Sequence, residues 1–124
     1  MKPLIDHALQ GLRIEAFPVI DVHAHLDFNQ DAVSLEDHIR EMDRLGIRCG
    51  IVSSIVALAG DFKSGNDDVL AAARRFPGRL YGYCHISANY PDRMLPELKR
   101  CFAEPSFKGI KVYQQRRGTY PTEM

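Results

Sequence analysis

The sequence has no surplus of either charge: sixteen lysines and arginines balance sixteen aspartates and glutamates over 124 residues. Nucleic acid and anionic membrane surfaces ask for a basic excess on some face, so neither is an expected partner. No apolar run approaches the roughly 20 residues of a membrane helix, and the N-terminus lacks the charged-then-apolar layout of a signal peptide. These absences lead to the expectation of a cytoplasmic protein. Cysteine is scarce. Cys49, Cys84 and Cys101 are odd in number, far apart and set in apolar surroundings, with no Cys-x-x-Cys pair. They are expected to be buried, reduced, inert thiols. The Gly60–Gly65 loop lacks the Lys-Ser or Lys-Thr that a phosphate loop carries after its second glycine; Asn66-Asp67-Asp68 stands there instead and would repel phosphate. No Ser-His-Asp order or Cys-His pairing marks a nucleophile system.

What remains is the composition of an ordinary soluble globular protein, 45% apolar and 26% charged. A chain of this length fits one domain and could bury roughly two-thirds of its unfolded surface. Phe17 to His25 follows a polar, helix-prone leader and reads as a strand. Ser34-Leu35-Glu36-Asp37 opens a helix with an N-cap and an acidic residue three positions on. Leu35, Ile39, Met42 and Leu45 recur at helical spacing, and Gly46 supplies the stop. Cys49 to Leu58 is a nearly unbroken apolar run, as in a strand buried on both faces. Asn66 is expected to cap a second helix with Asp67 and Asp68 in its first turn and Val69, Leu70, Ala73 and Phe76 on its inner face. Leu80 to Ser87 reads as a third strand and Phe107 to Tyr113 as a fourth. Between them a helix spans Pro91 to Ala103, with Pro96 marking either a kink or the true start. The polar tail 114–124 carries no recognisable element.

This β-α-β-α-β-α-β order, with a repeat of roughly 30 residues, predicts an α/β fold: a parallel sheet covered by right-handed crossover helices. Two architectures compete, an open doubly wound sheet and the N-terminal part, about four βα units, of a TIM (β/α)8 barrel. Four strands cannot close a barrel alone. Residues 1–124 are therefore expected to form one partial barrel domain, truncated after the fourth strand.

The chemistry concentrates in Val19-Ile20-Asp21-Val22-His23-Ala24-His25. Alternate strand residues face one side, so Asp21, His23 and His25 are expected to project together. They stand at the carboxyl end of the first strand, the active-site end in both architectures. Two imidazoles at that spacing can grip one Zn2+-sized ion, and Asp21 and Asp27 flank them. A lone histidine on an apolar strand is usually a satisfied core residue; a pair at i and i+2 points to metal.

The chain resembles the amidohydrolase superfamily, and more narrowly its branch of amidohydrolase-related predicted metal-dependent hydrolases, which includes aminocarboxymuconate-semialdehyde decarboxylase and γ-resorcylate decarboxylase. The resemblance is carried by Ile20-Asp21-Val22-His23-Ala24-His25-Leu26, Gly65-Asn66-Asp67-Asp68, Arg74-Arg75-Phe76-Pro77-Gly78-Arg79, Ser87-Ala88-Asn89-Tyr90-Pro91 and Phe107-Lys108-Gly109-Ile110-Lys111-Val112-Tyr113, in that order. It implies a divalent metal cofactor, Zn2+ by preference, held by His23 and His25. It also implies a later-strand histidine and a late aspartate, which match no position here and would lie beyond Met124. The implied activity is hydrolysis of a small C–N, C–O or carboxylated substrate, or nonoxidative decarboxylation, with Asp21 supporting the ligands from behind. In some members a fourth-strand lysine is carbamylated and bridges two metals, so Lys111 has three open readings: a metal bridge, a contact to substrate or to the ligands, or a structural residue. A catalytic zinc asks for three protein ligands, so the isolated chain is expected to bind metal weakly.

His85 could face inward with Tyr81 and Tyr83, but packing against a helix is the expectation. His7 and His38 are expected to be solvated; Arg116 and Arg117, in the loop after strand four, could hold an anionic substrate, but solvation is the expectation. Outside enzymology, two alternatives stand. One is a non-catalytic half-barrel that self-associates through its sheet edges as a homo-oligomer, two copies giving eight strands. The other is an open-sheet module that binds a ligand without metal.

Overall fold

The computed structural model describes residues 2–26 and 34–113. An N-terminal helix, α1 (Lys2–Leu9), precedes the first strand, β1 (Val19–Leu26). There follow α2 (Leu35–Leu45), β2 (Ile47–Ser54), the short α3 (Ile55–Ala59), α4 (Phe62–Arg75), β3 (Leu80–Ile86), α5 (Pro91–Phe102) and β4 (Phe107–Val112).

The sheet order is β1-β2-β3-β4, every neighbouring pair parallel. A doubly wound sheet reverses direction after an early strand to cover both faces. Here each strand is laid on the same side of the one before it, which is how a barrel wall grows. The fold is α/β, four parallel strands alternating with helices, as in part of a TIM barrel.

Local chemistry explains most boundaries. Ser34 Oγ accepts from the Asp37 amide at 3.1 Å while the Asp37 carboxylate accepts from the Ser34 amide, a complete capping box on α2. Gly46 closes that helix at φ 78°, and a Cβ there would lie 2.6 Å from the Ile14 carbonyl oxygen. Helix α5 starts at Pro91, so Pro96 lies inside it.

Two expectations fail between residues 49 and 66. The apolar run is not one strand: β2 ends at Ser54, whose Oγ accepts from the Val56 amide and starts α3. Apolar periodicity cannot separate a buried strand from a buried helical turn, and here a single hydroxyl makes the break. Nor does Asn66 cap anything. Asp61 caps α4, Oδ1 accepting from the Ser64 amide at 3.1 Å, so Gly65, Asn66, Asp67 and Asp68 lie within the helix. Gly65 is required where α4 crosses α3, since a Cβ would come within 2.5 Å of the Ala57 Cβ.

The core lies between the sheet and its helices, with Val52, Cys84, Leu80, Val69, Ala72, Cys101 and Phe107 buried. Each fully buried aliphatic or aromatic side chain there contributes about 1.5–3 kcal/mol. All three cysteines are free, and Cys84 and Cys101 are buried as expected; Cys49 is only half-buried, a correction. A hydrogen bond from the protonated Cys101 thiol to Cys84, and burial, push its pKa well above the ordinary value.

A polar seam crosses this core. The buried Asn66 side chain accepts from the His85 amide at 2.8 Å, donates to the His85 carbonyl at 3.0 Å and donates to Glu97 Oε1 at 2.8 Å. Arg100 closes on Glu97 and on Asp67. Burial opposes ionisation of Glu97, but hydrogen bonds from Arg100 and Asn66 outweigh it and hold the carboxyl below its usual range. One amide thus ties β3 to two helices.

Candidate metal centre

His23 and His25 come together at the carboxyl end of β1. Their Nε2 atoms are 3.2 Å apart. Nitrogens bound about 2.0–2.1 Å from a tetrahedral zinc stand about 3.3–3.4 Å from each other, so the pair is spaced as two ligands of one ion. The separation also admits an N–H···N bond between the rings, and the tautomers decide which applies. The His25 Nδ1 lies 3.1 Å from Ser53 Oγ on β2, where the strand register sets the two residues side by side. With Nδ1–H donating to Ser53, the His25 Nε2 lone pair is free for an ion, the arrangement that orients most metal-ligating histidines. Burial, with the positive charges of Lys111 and His23 after it, lowers the His25 pKa and favours the neutral ring a metal needs.

Asp21 is not where strict alternation puts it. The register pairs Asp21 with Gly50 and Ala24 with Val52, so β1 takes three steps against two on β2 and bulges between them. The Asp21 carboxylate accepts from the His23 backbone amide at 2.9 Å, and no contact joins it to either imidazole among the described residues. It fixes the main chain beneath His23. Asp27, Arg116 and Arg117 lie outside the described residues. His7 is exposed, whereas His38 is half-buried on α2, short of the solvated position expected for it.

Lys111 reaches the pair from β4, its Nζ 3.3 Å from His23 Nε2. It shares the sheet face of Tyr83 and His85 because Tyr83 opposes Gly109 and His85 opposes Lys111 across the β3–β4 ladder. The same register overturns the expectation for His85. Cys84 faces the helices, with its Sγ against Asn66, while the His85 ring is turned toward Lys111 and His25. That ring is 3% exposed and its Nδ1 has no hydrogen-bond partner among the described residues. Burial, reinforced by the charges of Lys111 and His25, lowers its pKa to about 4, so it is neutral at pH 7. Tyr83, the next inward residue, donates its hydroxyl to the Val22 carbonyl at 3.1 Å, spanning from β3 to β1.

Sequence reasoning missed Ser53, and named Tyr83 only as an inward companion of His85. Ser53 was visible as a polar residue inside an apolar run; the Tyr83 bond gave no signal, because its partner is a backbone carbonyl two strands away. Among the described residues no group of three or more histidines, cysteines, aspartates or glutamates is placed to share an ion. None of the described helices is long and apolar enough to cross a membrane.

No curated protein matches the chain. The sequence signature of the amidohydrolase family matches residues 20–124, from the strand that carries the two histidines to the C-terminal residue. Members of that family typically bind a divalent metal. The partial barrel, the paired imidazoles at a strand's carboxyl end and this match agree: the chain belongs to the amidohydrolase family.

Proposed function

We propose that this chain carries the first two ligands of a metal-dependent hydrolase acting on a small C–N, C–O or carboxylated molecule, with Zn2+ as the preferred ion. The observation that carries the reading is the 3.2 Å approach of the two Nε2 atoms, with Ser53 behind one of them. A divalent ion there supplies Lewis acidity, polarising a substrate carbonyl and acidifying water to a pKa of about 7. His23 and His25 would hold the ion, Ser53 would set the His25 tautomer, and the Asp21 carboxylate accepts from the His23 amide in the bulge. Two imidazoles fall short of the three protein ligands of a catalytic zinc, so the reading gives the described residues metal affinity and half a site. The proposal extends to a small-molecule substrate and a cytoplasmic location.

The test is a Zn2+ titration of the purified chain beside a His23→Ala/His25→Ala variant. Binding that disappears in the variant supports the reading; binding retained at full strength puts the site elsewhere. Nonoxidative decarboxylation is the second reading for the enzyme, favoured by an ammonium group beside the histidines, where a substrate carboxylate would find it. Carbon dioxide release without hydrolysis would establish it.

Self-association as a half-barrel is the reading from another class. Val22 is 58% exposed on β1 and Ile110 48% exposed on β4, the two outer strands of the sheet. Ile110 pairs with Cys84 in the ladder, yet Cys84 is buried while Ile110 is exposed. Two copies joined β1 to β4 would pair both open edges.

A further inference from the structure

We propose that the Lys111 ammonium is a tethered cation that competes with divalent metal for Nε2 of His23, so that the site loads only as the lysine swings away. The proposal rests on the metal reading above and adds a residue that opposes binding.

The geometry makes the two occupants exclusive. An imidazole Nε2 has a single lone pair in the ring plane, and it can accept an N–H or bind an ion but not both. Lys111 Nζ is 3.3 Å from that atom, within hydrogen-bond reach, and the second ligand nitrogen is 3.2 Å from the same atom. The ammonium and an ion bridging the two rings would therefore compete for the same His23 lone pair. Charge acts in the same direction. A single positive charge about 4 Å from a divalent ion, even at water-like dielectric, weakens binding by about tenfold or more.

Lys111 is also free to yield. Among the described residues no carboxylate pairs with it, and the His23 imidazole is the partner it finds. The His85 ring across the ladder offers no negative charge to anchor it. Its four-carbon stem lets the charge relocate without moving β4, which a rigid guanidinium fork does less readily.

The experiment measures Zn2+ affinity of the whole chain by competition with a chromogenic chelator, for wild type, Lys111→Met, Lys111→Gln, Lys111→Arg and His23→Ala/His25→Ala. Thermal melts confirm that each variant folds; Lys111→Gln serves if the methionine variant does not. The proposal expects the neutral variants to bind about tenfold tighter or more, with Lys111→Arg at or below wild type because it keeps the charge and yields less readily. Unchanged or weaker binding in the neutral variants overturns it. Weaker binding combined with a bicarbonate requirement in the wild type would show instead a carbamylated lysine acting as a ligand. If the double histidine variant binds as well as wild type, the metal reading and the lysine proposal both fail. If it loses binding while the neutral lysine variants match wild type, only the lysine proposal fails.

Discussion

An imidazole offers its second nitrogen to a ligand only when something settles the proton on the first. For His25 that partner is Ser53 Oγ at 3.1 Å. Ser53→Ala should leave the fold intact and weaken metal binding by about 10- to 100-fold, the usual cost of losing a partner behind a ligand; the same chelator competition reads it. His85 yields a pH prediction. Its pKa falls from 6.5 to about 4 on folding, so the unfolded chain binds more protons between those values. Stability is then fully present above pH 6.5 and drains away as pH falls toward 4, by up to about 3 kcal/mol. Urea unfolding at pH 7 and pH 5 should show the loss, and His85→Gln should flatten the slope. At this scale the histidine pair was legible because both members lie seven residues or fewer from the start of one strand. Asp21 was misplaced because a bulge is a property of two strands in register, and one strand's alternation does not reveal it.

Elements were legible where they carry their own punctuation. The Ser34–Asp37 box and Gly46 framed α2, and Pro91 framed α5, as local rules require. The region 49–66 resisted because its break rests on a tertiary contact, Gly65 against Ala57, and on one serine. Asn66 shows the same limit: asparagine at the edge of a polar stretch suggests a cap, yet here its amide serves as a partner for a buried strand backbone. Asn66→Ala would orphan the His85 amide and carbonyl and remove one donor from buried Glu97. The expected cost is about 2–4 kcal/mol, read as a lower denaturation midpoint with unchanged slope. A cost under about 0.5 kcal/mol would mean that the seam is not a structural tie.

For the whole molecule, the strand order is the decisive quantity, and the sequence could only narrow it to two answers. Both architectures share the β-α-β alternation; what separates them is the side on which each new strand is added, and that is set by crossover packing rather than by any one residue. The outcome leaves β1 and β4 as edges bearing Val22 and Ile110. If two copies join there, sedimentation should show a dimer whose fraction grows with concentration, and Val22→Lys with Ile110→Lys should return it to monomer. A wild-type chain that sediments as monomer throughout would end the half-barrel reading. The curvature of the same wall lets a phenol on β3 touch a carbonyl on β1 beside His23, skipping the strand between. The chain has five tyrosines and no tryptophan, so no indole masks phenol emission. Tyr83 is therefore a built-in optical probe: a paramagnetic ion such as Co2+ settling between the histidines should quench it, and Tyr83→Phe should remove that signal while leaving the other four tyrosines to report the fold.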